Sequence, residues 1–120
     1  LKTIAVVGCS PKPERAGHYV PAYMQSQGYR IVPVNPGQKR ILGETCYESL
    51  LDIPFPVELV NVFRRPEDVP PVIEDAIRVK AKAVWLQSGI TNPEAEEAAR
   101  KAGLLVVSDR CLMVEHRARG

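Results

Sequence analysis

The chain has 120 residues, of which 45% are hydrophobic and 25% charged, with a formal net charge of +2. That balance argues for a globular domain rather than a disordered or membrane protein, and it gives no reason to expect a nucleic-acid partner. Cys9, Cys46 and Cys111 include no Cys-x-x-Cys pair and no zinc-ligand spacing, no apolar run nears the ~18–20 residues of a membrane span, and the start runs into a strand without signal-peptide organisation. The expected setting is a reducing cytoplasm, with no membrane and no metal.

Residues 4–7 form the first of five short runs rich in Val and Ile; the others are 29–34, 57–63, 83–86 and 104–107. Each is nearly continuous rather than alternating, as in strands buried on both faces. The first helix contains Val20, Tyr23 and Met24 and ends at Gly28, a residue suited to the left-handed turn of a helix C-terminus. Residues 44–53, stopped by Pro54, read as a helical turn. Val69, Val72, Ile73, Ala76 and Ile77 follow the stripe of a helix lying on a sheet. Asn92, Pro93 and Glu94 are the cap, first position and acidic first turn of another helix, closed by Gly103. Strand and helix thus alternate, which predicts one doubly wound α/β domain over 1–120 with a parallel five-stranded sheet, in the order 3-2-1-4-5.

In such a sheet the ligand lies outside the carboxyl ends of the strands, at the switch in strand order, here expected between the first and fourth strands. After the first strand comes a small-residue loop, Gly8 to Gly17, containing Ser10, Lys12 and Arg15 and leading into a helix; such a loop offers amides and positive charge to a phosphate. Lys12, Arg15, Lys39, Arg40, Arg64, Arg65 and Arg110 place seven of the 16 cationic side chains at this edge. A balanced chain with a basic ligand edge points to a small polyanion. The full Gly-x-Gly-x-x-Gly and Walker patterns are missing, and Val34-Asn35-Pro36 stands where a nicotinamide site usually has an acid, so a ligand phosphorylated on its ribose fits better.

Gly8-x-Ser10-x-Lys12-Pro13, Pro33-Val34-Asn35-Pro36, Val62-Phe63-Arg64, Trp85-Leu86-Gln87-Ser88-Gly89-Ile90 and Asp109-Arg110-Cys111 together resemble the stand-alone CoA-binding proteins. These are similar to the N-terminal, Rossmann-like domain of the succinyl-CoA synthetase α subunit. The resemblance implies coenzyme A as ligand, its phosphates on Gly8, Ser10, Lys12 and Arg15; Cys9 belongs to the same binding loop and reads as a residue chosen for its size. Adenine and ribose would lie by Val34, Asn35, Pro36, Lys39 and Arg40, and pantetheine would pass Val62, Phe63 and Arg64 toward Gln87, Ser88 and Gly89. One departure is Gln38, where the synthetase has a lysine after its Pro-Gly.

The synthetase carries its phosphorylated histidine in a second domain, and the resemblance spans the binding half. The expectation is therefore a module that binds CoA or acyl-CoA without chemistry of its own, and presents it to a protein partner or senses it. Two alternatives stay open: an NADP-dependent oxidoreductase, and a thiol-redox protein pairing Cys111 with the CoA thiol. His18 reads as a capping or solvated histidine and His116 as part of a tail. Cys111 reads either as a nucleophile beside Arg110 or as a small buried side chain. Phe63 and Trp85, at strand ends, serve packing or a pantetheine slot.

Overall fold

The computed structural model describes residues 2–119. Five strands, β1 (Thr3–Val7), β2 (Arg30–Val34), β5 (Leu59–Val62), β6 (Ala83–Leu86) and β7 (Leu105–Val107), form one parallel sheet. Two short strands, β3 (Arg40–Ile41) and β4 (Glu44–Thr45), make a separate hairpin. Four helices connect or follow the strands: α1 (Ala16–Ser26), α2 (Val69–Arg78), α3 (Pro93–Lys101) and α4 (Leu112–Arg119).

β1, β2, β5 and β6 bury both faces, whereas the edge strand β7 leaves Leu105 71% exposed. In β1, Ile4 and Val6 pack with Val20 and Met24 of α1 and Leu112 of α4, while Ala5 and Val7 pack with Val69, Ile73 and Ala76 of α2 and Ala95 and Ala99 of α3. This is why the strands read as continuous apolar runs. The Asn92 side chain accepts from Ala95 N at 3.1 Å, and the Glu96 carboxylate accepts from Asn92 N at 2.8 Å, so the start of α3 is capped in both directions.

The doubly wound parallel sheet is as expected, but its order is β2-β1-β5-β6-β7. Counted along the five long strands this is 2-1-3-4-5, which corrects the expected 3-2-1-4-5. Pro33 supplies the reason. Arg30 N donates to Lys2 O and Gly8 N to Val34 O, so residues 30, 32 and 34 turn their polar groups toward β1 and Pro33 turns its own outward. An interior β2 would lose a ladder bond there; at an edge the missing N–H is harmless. Tyr47 N donates to Pro33 O at 3.0 Å and Asn35 N to Tyr47 O at 2.9 Å, so the chain after β4 covers this edge.

Two further expectations are corrected. Residues 44–53 begin as β4 and become helical only in a 3-10 turn at Leu50–Asp52. The hairpin turns through Leu42 (φ 56) and Gly43 (φ 74), a two-residue loop with both central residues left-handed. The supposed tail around His116 is α4. It docks through His116, which is hydrogen-bonded to the Tyr23 hydroxyl at 2.9 Å and meets Tyr23 and Tyr29 edge to face. Among the described residues no helix is long and apolar enough to cross a membrane.

Candidate functional site

The corrected order moves the switch point to the gap between β1 and β5, and there the loops after these strands meet. Phe63 N donates to Val7 O at 2.8 Å, and Gly8 (φ 86) lies so close to β5 that a Cβ on it would stand 2.3 Å from the Phe63 carbonyl oxygen. A Cβ on Gly17 would stand 2.9 Å from Gly8 O. The end of β1, the start of α1 and the end of β5 are thus brought together by two glycines.

Pro21, inside α1, has a consequence at this point. Lacking an N–H, it leaves the Gly17 carbonyl without its intrahelical donor, and Ser10 N donates to that carbonyl instead, at 3.0 Å. His18 Nδ1 donates to the Ser10 carbonyl at 2.7 Å, which fixes the protonated ring nitrogen because a carbonyl can only accept. Lys12 N donates to Ser10 Oγ at 3.1 Å and Arg15 N to Lys12 O at 3.0 Å. The loop is therefore held by its own polar groups.

Over this junction opens a cleft of about 890 Å³. Gly8, Ser10, Lys12 and Arg15 line it from the first loop, Ala16, Gly17 and Tyr19 from the start of α1, and Asn35 from the end of β2. Phe63, Arg64, Arg65 and Pro66 follow β5, Gln87, Ser88 and Ile90 follow β6, and Cys111, Met113 and Val114 form the wall at α4. The helix start has no side-chain cap, and the amides of Ala16 and Gly17 make no hydrogen bond among the described residues. Lys12, Arg15 and Arg64 form no ion pair there either, whereas Arg65 is held by Asp68 at 3.2 Å. Unpaired amides at a helix N-terminus beside unpaired cations make a site for an anion.

Nine of the residues assigned to the ligand from sequence meet in the cleft, Gly8, Ser10, Lys12, Arg15, Asn35, Phe63, Arg64, Gln87 and Ser88, together with Arg65 and Cys111. The others stand elsewhere. Cys9 is fully buried beneath the loop, and its carbonyl accepts from Asn35 Nδ2 at 2.7 Å. Val62 is core. Val34 lines a separate hollow of about 160 Å³ with Val7, Leu50 and Val72, which shares Arg64 with the cleft. Pro36, Lys39 and Arg40 are exposed beyond the end of β2, and the Arg40 guanidinium donates to Gly43 O. Gly89 gives its N–H to Asp109 Oδ1 at 2.7 Å, tying the loop after β6 to the one after β7. Trp85 faces away from the cleft; its Nε1 donates to Arg110 O at 2.7 Å.

Tyr19, Ile90, Met113 and Val114 were not foreseen as cleft residues. Met113 and Val114 depend on α4, and Ile90 directly follows the Gln87-Ser88-Gly89 triplet that was singled out. The Cys9 thiol is pushed up to about 12 by burial and by neighbouring Cys46, and burial also raises that of Cys46. Cys111, half-buried in the cleft wall, is the accessible thiol among the described residues.

A doubly wound parallel α/β domain with an anion-binding cleft at its topological switch point defines a nucleotide-binding class of protein. Residues 2–117 match the family model described as CoA binding domain, and the chain belongs to that family. It is 43% identical to the protein YneT of Bacillus subtilis over 96% of this chain and 85% of that one. Its fold superposes on the structure of cell-free ID.343 from Thermus thermophilus with a TM-score of 0.94 at 48% identity, covering 98% of this chain and 89% of the other. It is also 30% identical to ADP-forming acetate–CoA ligase I of Archaeoglobus fulgidus, over 92% of this chain but only 18% of the ligase.

Proposed function

We infer that the cleft binds coenzyme A or an acyl-CoA and that the domain's role is to hold this ligand for a partner or to sense it. The observation that carries the reading is the conjunction of the unpaired Ala16 and Gly17 amides with Lys12, Arg15 and Arg64, all on one cleft. The diphosphate sits on these groups, which Gly8 and Gly17 bring together by letting the ends of β1 and β5 and the start of α1 approach closely. Pantetheine runs past Phe63 toward Gln87 and Ser88. Adenine takes the hollow floored by Val34 and Val72, reached past Arg64, and exposed Lys39 meets the 3′-phosphate.

Family membership supports the ligand class, and the related ligase is named for a reaction with CoA. Calorimetry tests the reading with CoA, dephospho-CoA and NADP. A charge-assisted contact is worth about 1.5–3 kcal/mol, so dephospho-CoA should bind roughly 10- to 150-fold more weakly than CoA, and Lys39→Ala should shrink that ratio. Lys12→Ala with Arg15→Ala should weaken both ligands, and added salt should do the same. Tight NADP binding beside weak binding of both CoA forms would replace this reading with the oxidoreductase one.

A further inference from the structure

Gln87 directly follows β6; it is only 5% exposed and yet lines the cleft. Its Oε1 accepts from Leu112 N at 3.0 Å and from Asn61 Nδ2 at 3.3 Å. The amide cannot be the other way round, because Leu112 N can only donate and the atom facing it must be the oxygen. Asn61 is oriented by the same reasoning, since its Nδ2 also donates to the Trp85 carbonyl at 3.2 Å. Asn61 is fully buried and its Oδ1 has no partner, so the network is kept at a cost in unmade hydrogen bonds.

The Gln87 carboxamide is thus held by β5, by its own strand and by the start of α4, with its oxygen saturated. Nε2 is left over. It makes no hydrogen bond among the described residues, and the cleft is the space its side chain lines. Unlike Asn61 Oδ1 the atom is not sealed from solvent, so a rigidly held donor on a nearly buried side chain stands open to an acceptor. Phe63, Ile90 and Met113 are apolar and offer none, and the adjacent Ser88 hydroxyl makes no hydrogen bond to it among the described residues. Of the unpaired cations, Lys12 and Arg15 follow β1, two strands and roughly 10 Å from β6 across the sheet, and only Arg64, after β5, stands at a neighbouring strand end.

We propose that Gln87 Nε2 donates to a carbonyl oxygen of the ligand, and so makes this end of the cleft selective for an uncharged acceptor. The inference rests on the coenzyme A reading, in which the carbonyl belongs either to a pantetheine amide or to the thioester of an acylated ligand. Gln87→Glu keeps an oxygen for Leu112 N and Asn61 Nδ2 but replaces the donor with an acceptor. Gln87→Met removes the donor without adding charge.

Calorimetry on the native protein and both variants would use adenosine 3′,5′-bisphosphate, CoA, acetyl-CoA and S-ethyl-CoA, the last carrying a methylene in place of the thioester carbonyl. The bisphosphate has no carbonyl on this arm, and its affinity should change by less than about twofold in Gln87→Met. If an amide is read, CoA, acetyl-CoA and S-ethyl-CoA all weaken by about 3- to 10-fold in both variants. If the thioester is read, only acetyl-CoA weakens, and the native protein prefers acetyl-CoA to S-ethyl-CoA by the same factor. Equal losses for all four ligands would make Gln87 a clamp on α4 and overturn the proposal, as would no loss at all. If the native protein fails to bind any of the CoA ligands, the coenzyme A reading falls first and takes this one with it.

Discussion

Replacing Gly8 with alanine is the most informative single perturbation of the site, because two separable penalties act there. The backbone is left-handed (φ 86), which costs a non-glycine residue roughly 1–2 kcal/mol. The new Cβ would also lie 2.3 Å from the Phe63 carbonyl oxygen and 3.0 Å from its carbon, backbone atoms directly after β5 that are held by the bond from Phe63 N to Val7 O. Relieving that overlap means shifting β1 against β5, at a cost typical of overpacking, about 1–3 kcal/mol. The sum is about 2–5 kcal/mol. Gly28 isolates the first penalty: its φ is 93, but a Cβ there would meet nothing within 4 Å. Gly28→Ala should therefore lose only about 1–2 kcal/mol. Urea unfolding of both variants at one pH measures the difference. Gly8→Ala must be the less stable by at least about 1 kcal/mol; equal midpoints and slopes would refute the claim that β1 and β5 are packed against each other through this glycine.

Under native conditions a single iodoacetamide adduct should form, on Cys111, because Cys9 and Cys46 are buried and their raised thiol pKa values leave little thiolate at neutral pH; intact-mass spectra showing two or three adducts would contradict the burial. Cys111→Ser should leave CoA affinity within about threefold, roughly 0.7 kcal/mol, since cations and amides supply the binding energy; a larger loss by calorimetry would give the thiol a part in recognition. Pro21→Ala would supply an N–H at position 21 that competes for the Gly17 carbonyl. Hydrogen exchange at the Ser10 amide should speed up by about fivefold, and an unchanged rate would remove Pro21 from the anchoring of the loop. Glu58 accepts from Lys2 N at 2.7 Å and Thr3 N at 3.0 Å, which holds its carboxyl below the ordinary value of 4.5, with Lys82 at 3.7 Å adding to the effect. A carboxyl lowered by folding stabilises the fold above its unfolded pKa and loses that contribution as the pH falls through the folded one. Urea midpoints of the native protein and Glu58→Gln should thus differ at pH 7 and converge in acid; a gap that widens on acidification would have the wrong sign.

What could be read from the sequence was what repeats along a strand or stops a helix. β1, β2, β5 and β6 are legible because both their faces are covered, which forces continuous runs such as Ile4 to Val7; β7 keeps an apolar run although Leu105 is exposed. Asn92 and Pro93 mark the start of α3 because capping is local chemistry. The strand order was not read correctly, although Pro33 carried the signal: a proline belongs at an edge, and the expected order put its strand inside the sheet. The β3–β4 hairpin escaped notice because its turn is Leu42-Gly43, and leucine is an unusual residue for a left-handed position. α4 escaped because it is held by contacts between distant residues, above all His116 with Tyr23 and Tyr29, rather than by an apolar stripe. Gly8, Ser10, Lys12 and Arg15 were singled out because the loop after a first strand is a known place to look; the unpaired donor of Gln87 depends on Asn61 and Leu112 and has no trace in local sequence.

The covered edge of β2 also bears on how the chain is made. On a ribosome β1 and β2 emerge long before β5, so the nascent sheet has two exposed sides at a time when other chains are close by. Pro33 removes one donor from the outer side, and the residue that pairs with it, Tyr47, follows 14 residues later. Contacts so close in sequence form early. The side of β1 that awaits β5 is then the one left open, and until β5 is made the nascent sheet offers half as much strand edge for capture by a neighbour.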